Sequence, residues 1–203
     1  MLIVGATGVL LPAVHTYLGR GATVVAVARN RARLTGLALA GGERLLPVSL
    51  DVFEPAAVDA ALASAPLRDG VDAAVLYVAG TDDDAENEAV ARLSQVVRGA
   101  TLRILTSRWL PPPTAEPSSG RWPRVADRWH LLLGHSSVPG ADGGFWHTPQ
   151  QISAAAVAAL AGGRDAVLGR SSPLGPHALP AAKDPEVGGI PATDAAERGP
   201  VRR

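Results

Sequence analysis

The sequence predicts an α/β fold: a doubly wound, mostly parallel sheet with helices on both faces, followed by a disordered C-terminal tail. Three observations carry this expectation. Short runs rich in Val, Ile and Leu alternate with longer stretches of helical character along the first half of the chain. Such alternation lays strands side by side in parallel, with the helices as right-handed crossovers. The first apolar run passes directly into Gly5-Ala6-Thr7-Gly8, a turn in which backbone can approach a ligand closely. Finally, the residues that end successive strands, namely Gly5, Arg29, Asp51, Gly80 and Ser107, are ones with chemistry to offer. In open α/β sheets, ligands bind at those carboxyl ends.

Taken in order, strands are expected near residues 1–4, 22–28, 44–50, 72–78 and 101–106. Each is short and rich in Val, Ile or Leu, as largely buried parallel strands tend to be. Helices are expected near 9–19, 30–40, 54–64 and 85–98. Pro12 falls within the first turn of the first helix, where a missing N–H costs little. After residue 107 the pattern changes to a long Pro/Ser/Gly loop running to Pro123, flanked by Trp109 and Trp122. Loops of that kind act as lids or remain unstructured. The two tryptophans either stack on a ligand ring or pin the loop to the core. Arg128–Gly134 then reads as a further strand. Thr148-Pro149-Gln150-Gln151 is a helix start, with Thr as N-cap and Gln at the third position for a capping box. The helix Gln151–Ala161 follows, and Asp165–Gly169 closes the sheet. One domain over 1–170 and a tail over 171–203 are the expected organisation, because the tail has no apolar periodicity.

Composition narrows the class. The 203 residues carry equal numbers of basic and acidic side chains, so no net charge drives the chain toward nucleic acid or an anionic membrane. Cysteine is absent, which excludes disulfides, thiolate catalysis and a cysteine zinc site. With no basic leader before the first strand and no apolar run of membrane-spanning length, a cytoplasmic protein is the expectation. Self-association is left open.

The start of the chain points to a cofactor. A strand, a glycine turn and a helix form the Rossmann unit that cradles a dinucleotide pyrophosphate, with N–H groups and the positive helix end facing the phosphates. Gly5, Thr7, Gly8, Val9 and Leu10 are the candidate contacts. About 20 residues on, an acid normally bonds the ribose 2′-hydroxyl of NAD, whereas an Arg accommodates the 2′-phosphate of NADP. No acid occurs between Gly21 and Gly42, and Arg29, Arg31 and Arg33 cluster in its place. Arg29 is the foremost candidate for an NADP clamp, with Asn30 as helper. Arg31 and Arg33 are equally readable as a solvated basic start to the next helix. The third glycine of the fingerprint is replaced by Leu10 or Leu11.

Together, Gly5-Ala6-Thr7-Gly8, Val27-Ala28-Arg29 and Leu50-Asp51-Val52 resemble the short-chain dehydrogenase/reductase family, in its atypical NADP-binding branch. The resemblance spans about residues 1–110. It implies that Asp51, with Val52, contacts the adenine and that Ala79-Gly80 lines the cofactor. It also implies a Tyr with a Lys four residues later as proton donor. Here the chain departs from the family. Its two tyrosines are Tyr17 and Tyr77, neither followed by such a Lys, and its single lysine is Lys183 in the tail. The family's serine at the end of the fifth strand has a counterpart in Ser107, which either bonds a carbonyl substrate or simply caps the strand.

His130, His135 and His147 lie near Trp129 and Trp146, and match no metal-ligand spacing; no metal is expected. Imidazole is the remaining acid–base group of useful pKa, so His147 joins Ser107 as a catalytic candidate; packing is the plainer reading for all three. Asp82-Asp83-Asp84 reads as the acidic start of the next helix. Two functions follow: an NADP(H)-dependent oxidoreductase of a small molecule that lacks the Tyr-x-x-x-Lys pair, or a catalytically silent NADP(H)-binding sensor or accessory protein. Because residues 171–203 lack an apolar face, their removal should leave the melting temperature unchanged. A fall of several degrees in a thermal scan would show instead that the tail packs on the body.

Overall fold

The computed structural model describes residues 1–106, 109, 128–134 and 146–169. Ser107, Trp122, His135 and the whole tail 171–203 lie outside them. The elements in chain order are β1 (Leu2–Val4), α1 (Leu11–Gly19), β2 (Val24–Ala28), α2 (Arg31–Gly41), β3 (Leu45–Ser49), α3 (Pro55–Leu62) and α4 (Ala65–Arg68). They continue with β4 (Ala74–Tyr77), α5 (Asp83–Ser94), β5 (Thr101–Leu105), β6 (Arg128–Leu133), α6 (Pro149–Gly162) and β7 (Ala166–Leu168).

The strands form a seven-stranded sheet in the order β3-β2-β1-β4-β5-β6-β7. Every pairing in it is parallel. The chain winds outward from β1 in one direction, returns, and winds outward in the other. The order reverses at β1 and β4, and an open α/β sheet presents its ligand crevice at such a switch point.

Alternation along the strands divides the core between the two faces. Ile3, Val24, Ala26, Val75, Leu102, Ile104 and Leu131 pack under α1, α2 and α6. Leu2, Val4, Val25, Val27, Ala74 and Leu76 pack under α3, α4 and α5. Burial on both faces explains why β1, β2 and β4 read as apolar runs.

The helix starts follow from local chemistry. Asn30 caps α2 by accepting from the Arg33 N–H at 2.9 Å. Asp82 caps α5 by accepting from Asp84 and Ala85, and Asp83, Asp84 and Glu86 add negative charge at the positive helix end. The capping box on α6 is complete: Thr148 accepts from the Gln151 N–H, and the Gln151 side chain accepts from the Thr148 N–H. That helix ends at Gly163, whose left-handed φ of 57° suits glycine. The short α4 is not anticipated; its four residues, with Pro66 in the first turn, are too few for a periodic signal. Among the described residues, no helix is long and apolar enough to cross a membrane.

The core makes a direct test available. Leu131 is fully buried in β6, whereas Leu39 on α2 is 84% exposed. Leu131→Ala should cost about 2–5 kcal/mol in urea unfolding. Leu39→Ala should stay within about 0.5 kcal/mol.

Candidate functional site

The turn after β1 is held from both sides. The Gly5 and Ala6 N–H groups donate to the Val27 carbonyl at 3.0 and 3.2 Å, which locks the turn to β2. Gly8 N–H donates back to Gly5 O at 3.1 Å. From α6, packed beside α1, Ser153 donates its hydroxyl to Val9 O at 2.9 Å. Gly5 has φ +89°, and a Cβ there would stand 3.3 Å from the Tyr77 Cβ. The dihedral favours glycine, and a Cβ would press on the Tyr77 side chain. A Cβ on Gly8 would meet only Gly5 O at 3.7 Å, so it would stand in the space of the cleft. Among the described residues, the Thr7 and Val9 N–H groups, on the cleft wall, donate to no backbone carbonyl. Leu10 departs from the expected contact set: its side chain is fully buried in the core and is not part of the cleft wall.

The turn forms one wall of a cleft of about 350 Å³ at the carboxyl ends of β1–β4. Arg29, Asn30 and Arg33 line it from the end of β2 and the start of α2, whereas Arg31 does not. Arg29 and Arg33 are exposed, so both guanidinium groups are available to a ligand. Asn30 commits its side-chain oxygen to the α2 cap. From the end of β3 come Asp51, Val52 and Phe53. Asp51 Oδ1 accepts from the Phe53 N–H at 3.1 Å, a local turn that orients the carboxylate. Phe53 carries no motif signal, yet its ring closes on the next loop: a Cβ on Gly80 would lie 2.7 Å from Phe53 Cζ. Gly80 is needed for that approach and is not itself on the cleft wall.

Tyr77, Val78 and Ala79 complete the wall from the end of β4. Burial raises the Tyr77 phenol above its ordinary pKa, and the negative charge of Glu86 adds to the rise. Glu86 is itself buried in α5. Its Oε1 accepts from the Gly80 N–H at 2.6 Å, and its Oε2 accepts from Trp109 Nε1 at 3.2 Å and lies 3.4 Å from Arg103. Arg103 in β5 also donates to Asn87 at 2.6 Å and stacks 4.7 Å from the Trp109 ring centroid. A charged residue in a central strand, paired in space with an acid on a helix, is the signal that sequence reading missed here.

The histidines separate. The His130 N–H donates to Asp165 Oδ1 at 2.7 Å, and its Nδ1 lies 3.3 Å from the same oxygen. It therefore joins β6 to the start of β7. Burial lowers its pKa, opposed by Asp165 and assisted by Arg103. His147 immediately precedes the α6 cap, is not on the cleft wall, and has a buried Nε2 with no hydrogen-bond partner among the described residues. The structure thus brings Gly5, Thr7, Gly8, Val9, Arg29, Asn30, Asp51, Val52 and Ala79 together, and it leaves His147 apart from them. Ser107 lies outside the described residues.

No family model and no curated protein sequence matches this chain. Solved structures match over most of its length. A carbonyl reductase from Pseudomonas aeruginosa PAO1, in complex with NADP, is 21% identical with a TM-score of 0.56, covering 86% of this chain and 98% of that one. A serine dehydrogenase from Escherichia coli is 17% identical with a TM-score of 0.58, covering 83% and 95%. A short-chain dehydrogenase from Streptomyces avermitilis is 16% identical with a TM-score of 0.57, covering 83% and 88%. The chain has the fold of the short-chain dehydrogenases/reductases.

The turn itself is testable without a substrate. Gly5→Ala forces a side chain to φ +89° against Tyr77, a strain of about 1–3 kcal/mol. Its melting temperature should fall, and any dinucleotide binding should be lost. A variant that keeps both would show that the turn tolerates a Cβ.

Proposed function

We propose that the chain is an NADP(H)-dependent oxidoreductase that acts on a small molecule. The observation that carries this is the pairing of Arg29 and Arg33 on the cleft wall, with no acid at the tip of β2 to meet a free ribose hydroxyl. Two exposed guanidinium groups beside a glycine turn suit a 2′-phosphate, and Arg offers it a planar, charge-assisted fork.

The residues present fit the cofactor. The open space over Gly8 and the N–H groups of Thr7 and Val9 suit a pyrophosphate. Asp51 and Val52, beside Phe53, suit the adenine end. The similar structures agree with this reading: the P. aeruginosa carbonyl reductase is in complex with NADP, and a serine dehydrogenase is complexed with NADP+.

When bound, the cofactor supplies a hydride, and the chain must bind, orient and protonate around it. Tyr77 is poorly suited to give the proton. Its pKa is raised, an ordinary phenol already titrates near about 10, and no Lys follows four residues later. Ser107 and His147 remain the candidates for polarising or protonating a substrate.

A second reading, a silent NADP(H)-binding sensor or accessory protein, is favoured by the missing Tyr-x-x-x-Lys pair. Turnover of NADPH against a panel of small carbonyl compounds separates the two.

Calorimetry tests the cofactor directly. NADPH should bind more tightly than NADH. Arg29→Ala should remove most of the difference without unfolding the chain, a loss of about 1.5–3 kcal/mol. Equal wild-type affinities for the two cofactors would refute the clamp.

A further inference from the structure

We infer that Glu86 is a positioning residue of the cleft, whose buried carboxyl fixes the β4 wall and ties it to Trp109 beyond β5. The inference deepens the NADP(H) reading and rests on it.

Glu86 is 2% exposed, whereas Asp83, Asp84 and Glu88 on the same helix are exposed. Complementing the helix dipole does not require burial, since Asp83 and Asp84 do that from solvent. Burying a carboxyl is costly unless its oxygens are satisfied. Here they are, and by groups from three separate elements. Gly80 donates from the loop after β4, Arg103 from β5, and Trp109 from the segment that follows β5. Asn87 and the Trp109 ring hold the Arg103 guanidinium in turn. One side chain therefore sets where the chain leaves β4 and where it leaves β5.

The consequence for a ligand follows from strand order. Arg29, Arg33 and Asp51 stand at the β2–β3 end of the cleft, the glycine turn at β1, and Ala79 at β4 on the far side. A full dinucleotide reaching from Arg29 to Ala79 must cross β1. A fragment that carries only the adenosine 2′-phosphate half is held by the β2–β3 end and the turn. Loss of the Glu86 contacts loosens the far wall and leaves the near end intact.

The test compares NADPH with 2′,5′-ADP on the full chain. Glu86→Gln keeps the volume but presents an amide N–H₂ either to the Gly80 N–H or to the Arg103 and Trp109 donors, so one set of contacts must open. NADPH should bind about tenfold more weakly, while 2′,5′-ADP binding changes by less than about twofold. Trp109→Phe removes the indole N–H and leaves a smaller aromatic ring beside Arg103. It should give the same split at about threefold, and it carries the test if the Gln variant does not fold. Unchanged NADPH affinity in the variant measured, or equal weakening of both ligands, overturns the positioning role. A wild-type chain that binds neither ligand overturns the NADP(H) reading instead, and this inference with it.

Discussion

An all-parallel sheet cannot leave a face in water without exposing apolar side chains, and it cannot connect neighbouring strands by tight turns. Both requirements are met by the same device here, a helix after most strands, laid on one or the other face of the sheet. Two buried clusters result, one beneath α1, α2 and α6 and one beneath α3, α4 and α5. Every strand then points its carboxyl end the same way. The turns that leave those ends gather along one edge, so residues as distant in sequence as Gly5, Arg29, Asp51 and Ala79 come to line a single cleft. The chemistry of the site is a by-product of how the sheet is covered.

The glycine turn shows how closely packing and binding are joined. Gly5 is fixed by Val27 on one strand and crowded by Tyr77 on another, and Val9 is tied to Ser153 at the start of α6. Leu10, where the fingerprint ordinarily has a small residue, turns inward and fills the core below the turn. The cleft keeps its two small residues, Gly5 and Gly8, at the positions that face it.

Much of this was legible in the sequence because it depends on local pattern. Apolar runs located the seven strands, and Thr148 with Gln151 located α6, since strand burial and capping are set within a few residues. Arg29 and Asp51 could be placed because the strand–turn–helix repeat fixes what lies at each strand end. What could not be read depends on contacts across the fold. Phe53 reaches Gly80, Ser153 reaches Val9 and Arg103 reaches Glu86 only once the sheet order is known. Arg33 had two readings because a helix-starting arginine points to solvent or to a ligand according to the rotation of α2, which no spacing reveals. Asn30 was read as a ligand helper and serves first as a cap.

Charge is distributed to the same end. The chain carries no formal net charge, so a ligand feels only local arrangements. At the β2 end, arginines stand exposed and ready for an anion. At the β4–β5 end, buried Glu86 faces a half-buried Arg103, and both are engaged in hydrogen bonds within the protein. This asymmetry matters for the chemistry. In the family that the chain resembles, a lysine beside the tyrosine holds the proton donor ready. Here burial of the tyrosine that lines the cleft, and after it the negative charge of Glu86, push its pKa the wrong way for that task. A raised phenol pKa with no lysine beside it makes Tyr77 a weaker proton donor than the tyrosine of that family.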